Sequence, residues 1–501
     1  MKQKIKILAL LPILLGSRVS CSGNNSSATS GAASGSGTSQ TTTPSKGTIQ
    51  INRWHTFGAG LQDEFQNKAD EFAKLVKENE GVDISINAGQ DAYQGSYADI
   101  HNKIVSGFNT GDFPTIAVAY PDHVADYIAA ESVPGKYVVN LAELATDEKI
   151  GFGKESYIGD GEASDFLPAF YDEGQHYIRE GRYSLPVLKS TEVIFYNKEL
   201  TASILSQYNE DEHLGRNSDQ LLSFRDDLSY DEFRNFCRYV AKNIKNGSYK
   251  GKAGDNLQYP FCYDSDDNFF ISQCYQRNIP YTSIENGKGK IEFNNPEAKA
   301  FVRDLKADYD NKVFCTKGTN DNKYGSDLFK TGEVLFNIGS SGGSGYTIPS
   351  GDNFTVGVAK VPYANNNPKY ITQGVTLTLL KTKDDEDGRK VKYAWKFLKY
   401  LTSTTVNLDL ALYYSQGYSP VRESCYQTEE FIEYCNEGET LGEVQKVVKD
   451  KISGSYLNTP CFKGSAKARE EVKGLMVQAL RGKKTIDGAF ADAENQTKLS
   501  R

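Results

Sequence analysis

Lys189-Ser190-Thr191-Glu192-Val193-Ile194-Phe195-Tyr196-Asn197-Lys198-Glu199-Leu200 is the stretch on which the reading of this chain turns. Val193 to Tyr196 is a short, unbroken β-branched and aromatic run between polar residues, the pattern of a strand buried on both faces. Ser190 and Thr191 place small hydroxyls at its entrance, where a polar ligand could reach them, and Asn197 with Lys198 turns the chain out again. An ordinary core strand and a ligand-facing one both fit this stretch taken alone.

Upstream, Ile49 to Trp54 alternates as a strand does, and Phe57-Gly58-Ala59-Gly60 leads into a helix over Leu61 to Asn79 whose inner stripe is Leu61, Phe65, Phe72, Leu75 and Val76. Val82 to Ile86 is the next strand, Tyr97 to Phe108 the next helix, and Thr115 to Tyr120 a buried strand before a helix that starts near Asp122. Alternating strands and helices imply a mainly parallel sheet, with the ligand crevice beyond the carboxyl ends of its strands. Trp54, Tyr97 and Asp122 occupy such places.

At the amino terminus, Lys2, Lys4 and Lys6 precede the apolar run Ile7 to Leu15, the pattern of an export signal over residues 1–20. The run is shorter than the roughly 20 apolar residues of a spanning helix. Cys21 follows Arg18-Val19-Ser20, similar to a lipid-attachment site except for Arg18; ordinary signal cleavage is the alternative. Removing residues 1–20 leaves 53 basic against 65 acidic side chains, a net charge of −12. That balance argues against nucleic-acid binding. Residues 21–47 are almost all Ser, Gly, Thr, Ala and Asn after the cysteine, a flexible tether with a typical reach of roughly 25–30 Å. The remaining body exceeds what one core usually holds, so two lobes are expected.

Downstream, Tyr230 to Ile244 reads as a helix with acids in its first turn and Phe233, Phe236, Val240 and Ile244 inward. Tyr263 to Asn268 is acidic but lacks the glycine and distal glutamate of a calcium loop. Val334 to Ile338 runs as a strand into Gly339-Ser340-Ser341-Gly342-Gly343-Ser344, where backbone amides and hydroxyls could hold an anionic oxygen. This segment spells Gly-x-Ser-x-Gly, yet the following residues 344–349 do not read as a helix and no histidine lies downstream, so a serine hydrolase has little support. In Tyr370 to Leu377, Gly374 would let the backbone approach a ligand. Seven cysteines besides Cys21, an odd number, form no Cys-x-x-Cys pair, and the five histidines adopt no zinc spacing. No metal or cofactor is expected.

Taken together, these segments resemble family 1 extracellular solute-binding proteins of ABC importers. The likeness rests on Ser190 to Leu200, with its Tyr-Asn-Lys-acidic ending, and on seven further motifs in the family's order. These are Trp54-His55-Thr56, Asn109 to Pro114, Gly289 to Asn295, Lys330 to Glu333, Gly339 to Gly342, Gly417 to Pro420 and Gly482 to Thr485. The resemblance implies a two-lobed, periplasmic-binding-protein-like α/β fold of the maltose-binding-protein type with three hinge crossings, near 187–191, 364–373 and 417–422. It divides the body into lobe 1 (48–188 and 370–418) and lobe 2 (189–369 and 419–501). It carries ligand contacts onto Tyr97, Ser190, Ser340, Gly374, Tyr418 and Arg469. Tyr263 and Asp266 fall where the family places aromatic ligand contacts, and Asp122 stands beside Pro121, where a carboxylate is expected.

The function so implied is non-enzymatic: an exported, lipid-anchored monomer on the periplasmic or extracellular face. It captures a sugar, polyol phosphate or glycerophosphodiester and delivers it to a membrane permease. An exported carbohydrate-active enzyme would need two carboxylates about 5–9 Å apart across one cleft, and no pair is singled out by context. A tethered surface adhesin would explain the linker but not the hinge-like segments.

Overall fold

The computed structural model describes residues 47–215, 229–351, 354–437, 439–452 and 454–499. The expected signal peptide, Cys21 and all but the last residue of the tether lie outside them. The central strand is β4, Leu185–Asn197 in chain order after β1 (Ile49–Trp54), β2 (Ile84–Asn87) and β3 (Ile116–Val118). All of its 13 residues but the last are buried, as the apolar run predicts. Leu185 to Leu188 pack in one hydrophobic core and Val193 to Tyr196 in another, so a single strand belongs to two lobes.

In the first lobe β1 pairs in parallel with β2 and β3. Helix Ala59–Glu80 buries Phe65, Ala69, Phe72 and Val76 on one stripe and ends at Gly81 in the left-handed conformation. Helix Tyr97–Thr110 opens with a capping box between Ser96 and Asp99. Helix Arg389–Leu401, far along the chain, returns Trp395 and Phe397 to this same core.

The second lobe is built on β5 (Tyr259–Tyr263), β8 (Phe314–Thr316) and β9 (Val334–Ser340), with the small hairpin β6 (Thr282–Glu285) and β7 (Lys288–Ile291) at its side. Strands β9 and β8 flank β5 in parallel, and β9 is antiparallel to β4. β10 (Val356–Lys360) joins the other edge of β4. Helix Tyr230–Lys245 starts at a Ser229–Glu232 capping box and buries Phe233, Phe236 and Val240.

β11 (Tyr370–Leu379) lies antiparallel to β4 and, like it, passes through both lobes: Tyr370 and Ile371 pack in the second core, Val375, Leu377 and Leu379 in the first. β12 (Tyr456–Leu457) adds to its beginning. The long path is β2-β1-β3-β11-β4-β9-β5-β8. Gly374 pairs with Lys189, and Ser419 exchanges two backbone hydrogen bonds with Lys189 at 3.0 and 2.6 Å. Three crossing segments therefore meet at one residue. Val421 packs in the first core and Val444 in the second.

One expectation is corrected here. Ser344–Thr347 does form a four-residue helix, entered through a 3-10 turn over Ser341–Gly343. The Ser344 hydroxyl donates to the Ser341 carbonyl, which closes a turn that glycine-rich composition obscures.

Candidate functional site

Where the strands of both lobes end, two adjoining cavities open between them. The smaller, about 130 Å³, is lined by Tyr120, Asp122, Glu173, Asp267, Asn268, Gln373 and Arg469 among others. The larger, about 690 Å³, shares Tyr120, Asp267 and Gln373 with it and extends past Ser190, Glu192, Ser340, Gly374 and Tyr418 to Tyr324 and Tyr346. Those two outer tyrosines are 51% and 71% exposed, Tyr324 with the Lys317 ammonium 3.5 Å over its ring, so aromatic surface stands at the mouth.

Arg469 sits in the first half of helix Ser465–Leu480, whose Ala468, Val472 and Leu475 hold it to the second core. Its guanidinium donates to Asp267 at 3.0 Å and to Asn268 at 2.6 Å, and its Nε lies 3.4 Å from Asp122. Asp122 belongs to helix Pro121–Ala130 of the first lobe, so this ion pair spans the cleft. One helical turn on, Asp126 accepts from the Gly464 backbone at 3.0 Å across the same gap. Burial alone would lower the Arg469 pKa; the charges of Asp267 and Asp122 more than reverse that, and the group is held above its ordinary value.

Glu192, at the centre of β4, accepts hydrogen bonds from the Tyr263 hydroxyl and, at 3.1 Å, from Asn268. Burial pushes its pKa up to about 8 in spite of those two donors. A continuous chain of polar contacts thus runs Tyr263, Glu192, Asn268, Arg469, Asp122. Nearby, Lys189 is fully buried against Glu173 at 2.5 Å, and Glu173 also accepts from Thr372 at 3.1 Å.

The residues expected from sequence are placed as follows. Ser340 donates to Ser190 at 3.1 Å, so the two hydroxyls meet on adjacent strands at the cavity wall. Tyr97 stacks on Tyr120 with ring centroids 4.2 Å apart, backing the wall from behind. Tyr418 lies flat against Gly342, where a Cβ would come within 2.8 Å of its ring. Asp122, Gly374 and Arg469 line the cavities. Besides Tyr97, three more residues do not line them. Trp54 packs half-buried on the first core. Tyr263 is buried, stacked on Phe269 at 4.5 Å. Asp266 is 1% exposed and spends its carboxylate on the Thr316 hydroxyl and the Gly318 amide at the end of β8. Its neighbour Asp267 faces the cleft instead.

Ser341, the centre of Gly-x-Ser-x-Gly, is fully buried and accepts from the Thr191 amide at 3.3 Å. Among the described residues no group of histidines, cysteines and acids is arranged to hold a metal ion.

Two lobes, three crossing segments and a polar, tyrosine-rimmed cleft between strand ends define the class of two-lobed solute-binding proteins. The chain belongs to the bacterial extracellular solute-binding protein family, whose model matches residues 69–436. It is 23% identical over 389 residues to the sn-glycerol-3-phosphate-binding periplasmic protein UgpB of Rhizobium meliloti (strain 1021), covering 75% of this chain and 76% of that one. Its fold is similar to that of the acarbose-binding GacH receptor of Streptomyces glaucescens GLA.O, at a TM-score of 0.62 and 18% identity over 90% of this chain and 98% of that one. It is likewise similar to the cyclic alpha-maltosyl-1,6-maltose binding protein of Arthrobacter globiformis, at 0.62 and 17% over 91% and 99%. The maltose-bound MalE3 of T. maritima matches at 0.62 and 16% over 90% and 99%. These are maltose-binding-protein-type folds, as the sequence resemblance implies.

Proposed function

We propose that this protein is the substrate-binding component of an ABC importer and that its cleft takes an uncharged, polyhydroxylated solute, a sugar or short oligosaccharide. The observation that supports this is the state of Arg469: its guanidinium already serves Asp267 and Asn268 and lies against Asp122. A phosphate ester would have to displace a carboxylate from that fork and then face two others across a few ångströms. Sugar hydroxyls, by contrast, can donate to Asp122, Asp267 and Glu173 and accept from Gln373 and Ser340, with tyrosine faces for the ring.

Lobe 1 comprises 48–188 and 370–418 and lobe 2 comprises 189–369 and 419–501, apart from Tyr370 and Ile371, which pack in the second core, and Val421 and Cys461, which pack in the first. Trp54, Tyr263 and Asp266 support the cleft from behind; Tyr120, Glu173, Glu192, Asp267, Asn268 and Gln373 join its walls. The signal, Cys21 and tether fit a diacylated anchor that holds the body off the membrane. Cell fractionation tests the anchor: Cys21→Ala releases the protein, whereas a wild-type chain found soluble with a later amino terminus rules the anchor out.

Calorimetry with maltose, longer neutral oligosaccharides, sn-glycerol 3-phosphate and glycerophosphodiesters tests the ligand. Saturable heat with a neutral saccharide and no product formed is the expected result. Tight binding of a phosphate ester, lost on Arg469→Ala, overturns it.

A further inference from the structure

β5 and β8 both end at the cleft: β5 runs into Asp264 to Asn268, β8 into Lys317 to Thr319, and Asp266 already ties the two ends through Thr316 and Gly318. One residue back from each end is a cysteine. Cys262 and Cys315 are register partners on these parallel strands. Adjacent strands lie about 4.7–4.9 Å apart, which falls within the Cα separation of about 4.4–6.8 Å that a disulfide spans. Register partners also present their side chains on the same face of a sheet. The two thiols are near enough for Cys315 to shift the ionisation of Cys262, and both are buried.

No other two of the seven described cysteines stand in this relation. Cys425 and Cys435 share a small separate core, but the Cys425 thiol donates to the Thr404 carbonyl at 3.5 Å. The chain's family is extracellular, and outside the cytosol disulfides form and persist.

We propose that Cys262 and Cys315 are joined by a disulfide in the exported protein, stapling β5 to the edge strand β8 directly behind the cleft wall. The oxidant is a disulfide of an exchange partner, a dithiol oxidoreductase in its oxidised form or oxidised glutathione. One cysteine thiolate attacks a sulfur of that partner and expels a thiolate; the second attacks the resulting mixed disulfide and expels the other. The S–S bond forms here, the partner's S–S bond is reduced, and the two protons lost by the cysteines are balanced by the two thiols released. The neighbouring Cys315 thiol and burial both push the Cys262 thiol well above its usual range. Thiolate is therefore scarce in the folded, reduced sheet, which places the exchange during folding, before β5 and β8 close.

The staple stands independently of which solute the cleft takes. It closes a loop of several dozen residues in the unfolded chain, so reduction lowers the midpoint of thermal unfolding. The test uses the mature wild-type protein recovered from exporting cells, denatured without reductant, alkylated with iodoacetamide and mapped by mass. Cys262 and Cys315 are expected to escape alkylation, their peptides linked at about 2 Da below the sum of the reduced pair. Alkylation of both residues, or linkage of either to another cysteine, overturns the proposal. Serine variants at these buried positions risk misfolding, so a second measurement uses wild type alone: denatured, reduced protein refolded with oxidised glutathione acquires the same link, and recovery of folded protein with both thiols free counts against it.

Discussion

Burial raises the pKa of two carboxyls in the wall of the cleft, Asp264 to about 6 and Glu192 further, and Glu192 dominates toward pH 8. Its pKa rises from the ordinary 4.5 to about 8 through burial, while the hydrogen bonds from Tyr263 and Asn268 pull the other way. Between those values the unfolded chain has released this proton and the native chain keeps it, so stability from this group is present below about 4.5 and is lost as pH rises toward 8. Glu192→Gln should therefore flatten the fall in melting temperature over that window, which differential scanning at several pH values reads directly; parallel curves for the two proteins would contradict it. Gly374 constrains the crossing differently. Its φ is +103°, and a Cβ there would lie 2.6 Å from the Leu188 carbonyl oxygen. Gly374→Ala is expected to cost about 1–3 kcal/mol through strain and steric conflict, measured by urea unfolding.

Helix Asp266–Gln276 illustrates what could and could not be read from sequence. Successive helical residues point roughly 100° apart, so Asp266 turns inward to cap the end of β8 while Asp267 turns to the cleft. Resemblance located the segment but not which acid faces which way, because that depends on Thr316 and Gly318, some 50 residues on. Glu192 was hidden for a like reason: within an apolar strand it carries no local signal, and its role comes from Tyr263 and Asn268, more than 70 residues away. The strands and helices themselves were legible, since the period of two in β1, the unbroken apolar run of β3 and the period of 3.6 in helix Ala59–Glu80 are local properties. At this scale helices Pro121–Ala130 and Ser465–Leu480 meet through Asp122 and Arg469. Asp122→Asn should leave the free protein with a larger radius of gyration by X-ray scattering; an unchanged radius would show that the pair does not hold the lobes together. For an uncharged sugar, Arg469→Ala should weaken binding by about 0.5–1.5 kcal/mol, well below the roughly 2–5 kcal/mol expected if the guanidinium gripped a phosphate.

For the molecule as a whole, a cleft walled from both lobes means that full ligand contact exists only when they are together, so the solute biases closure by its difference in affinity for the two arrangements. Addition of the cognate saccharide should contract the scattering radius, and a constant radius at saturation would argue for a rigid site. The two lobes also differ in when they can be completed. β3 sits between β1 and β11, strands separated by more than 300 residues of chain, and the first core draws Trp395 and Phe397 from further still. During synthesis, then, the amino-terminal half emerges with an open sheet edge and an unfilled core until some 400 residues have been made. A first lobe that is completed only late leaves its early strands unpaired for longer, a state compatible with export of the chain before it folds.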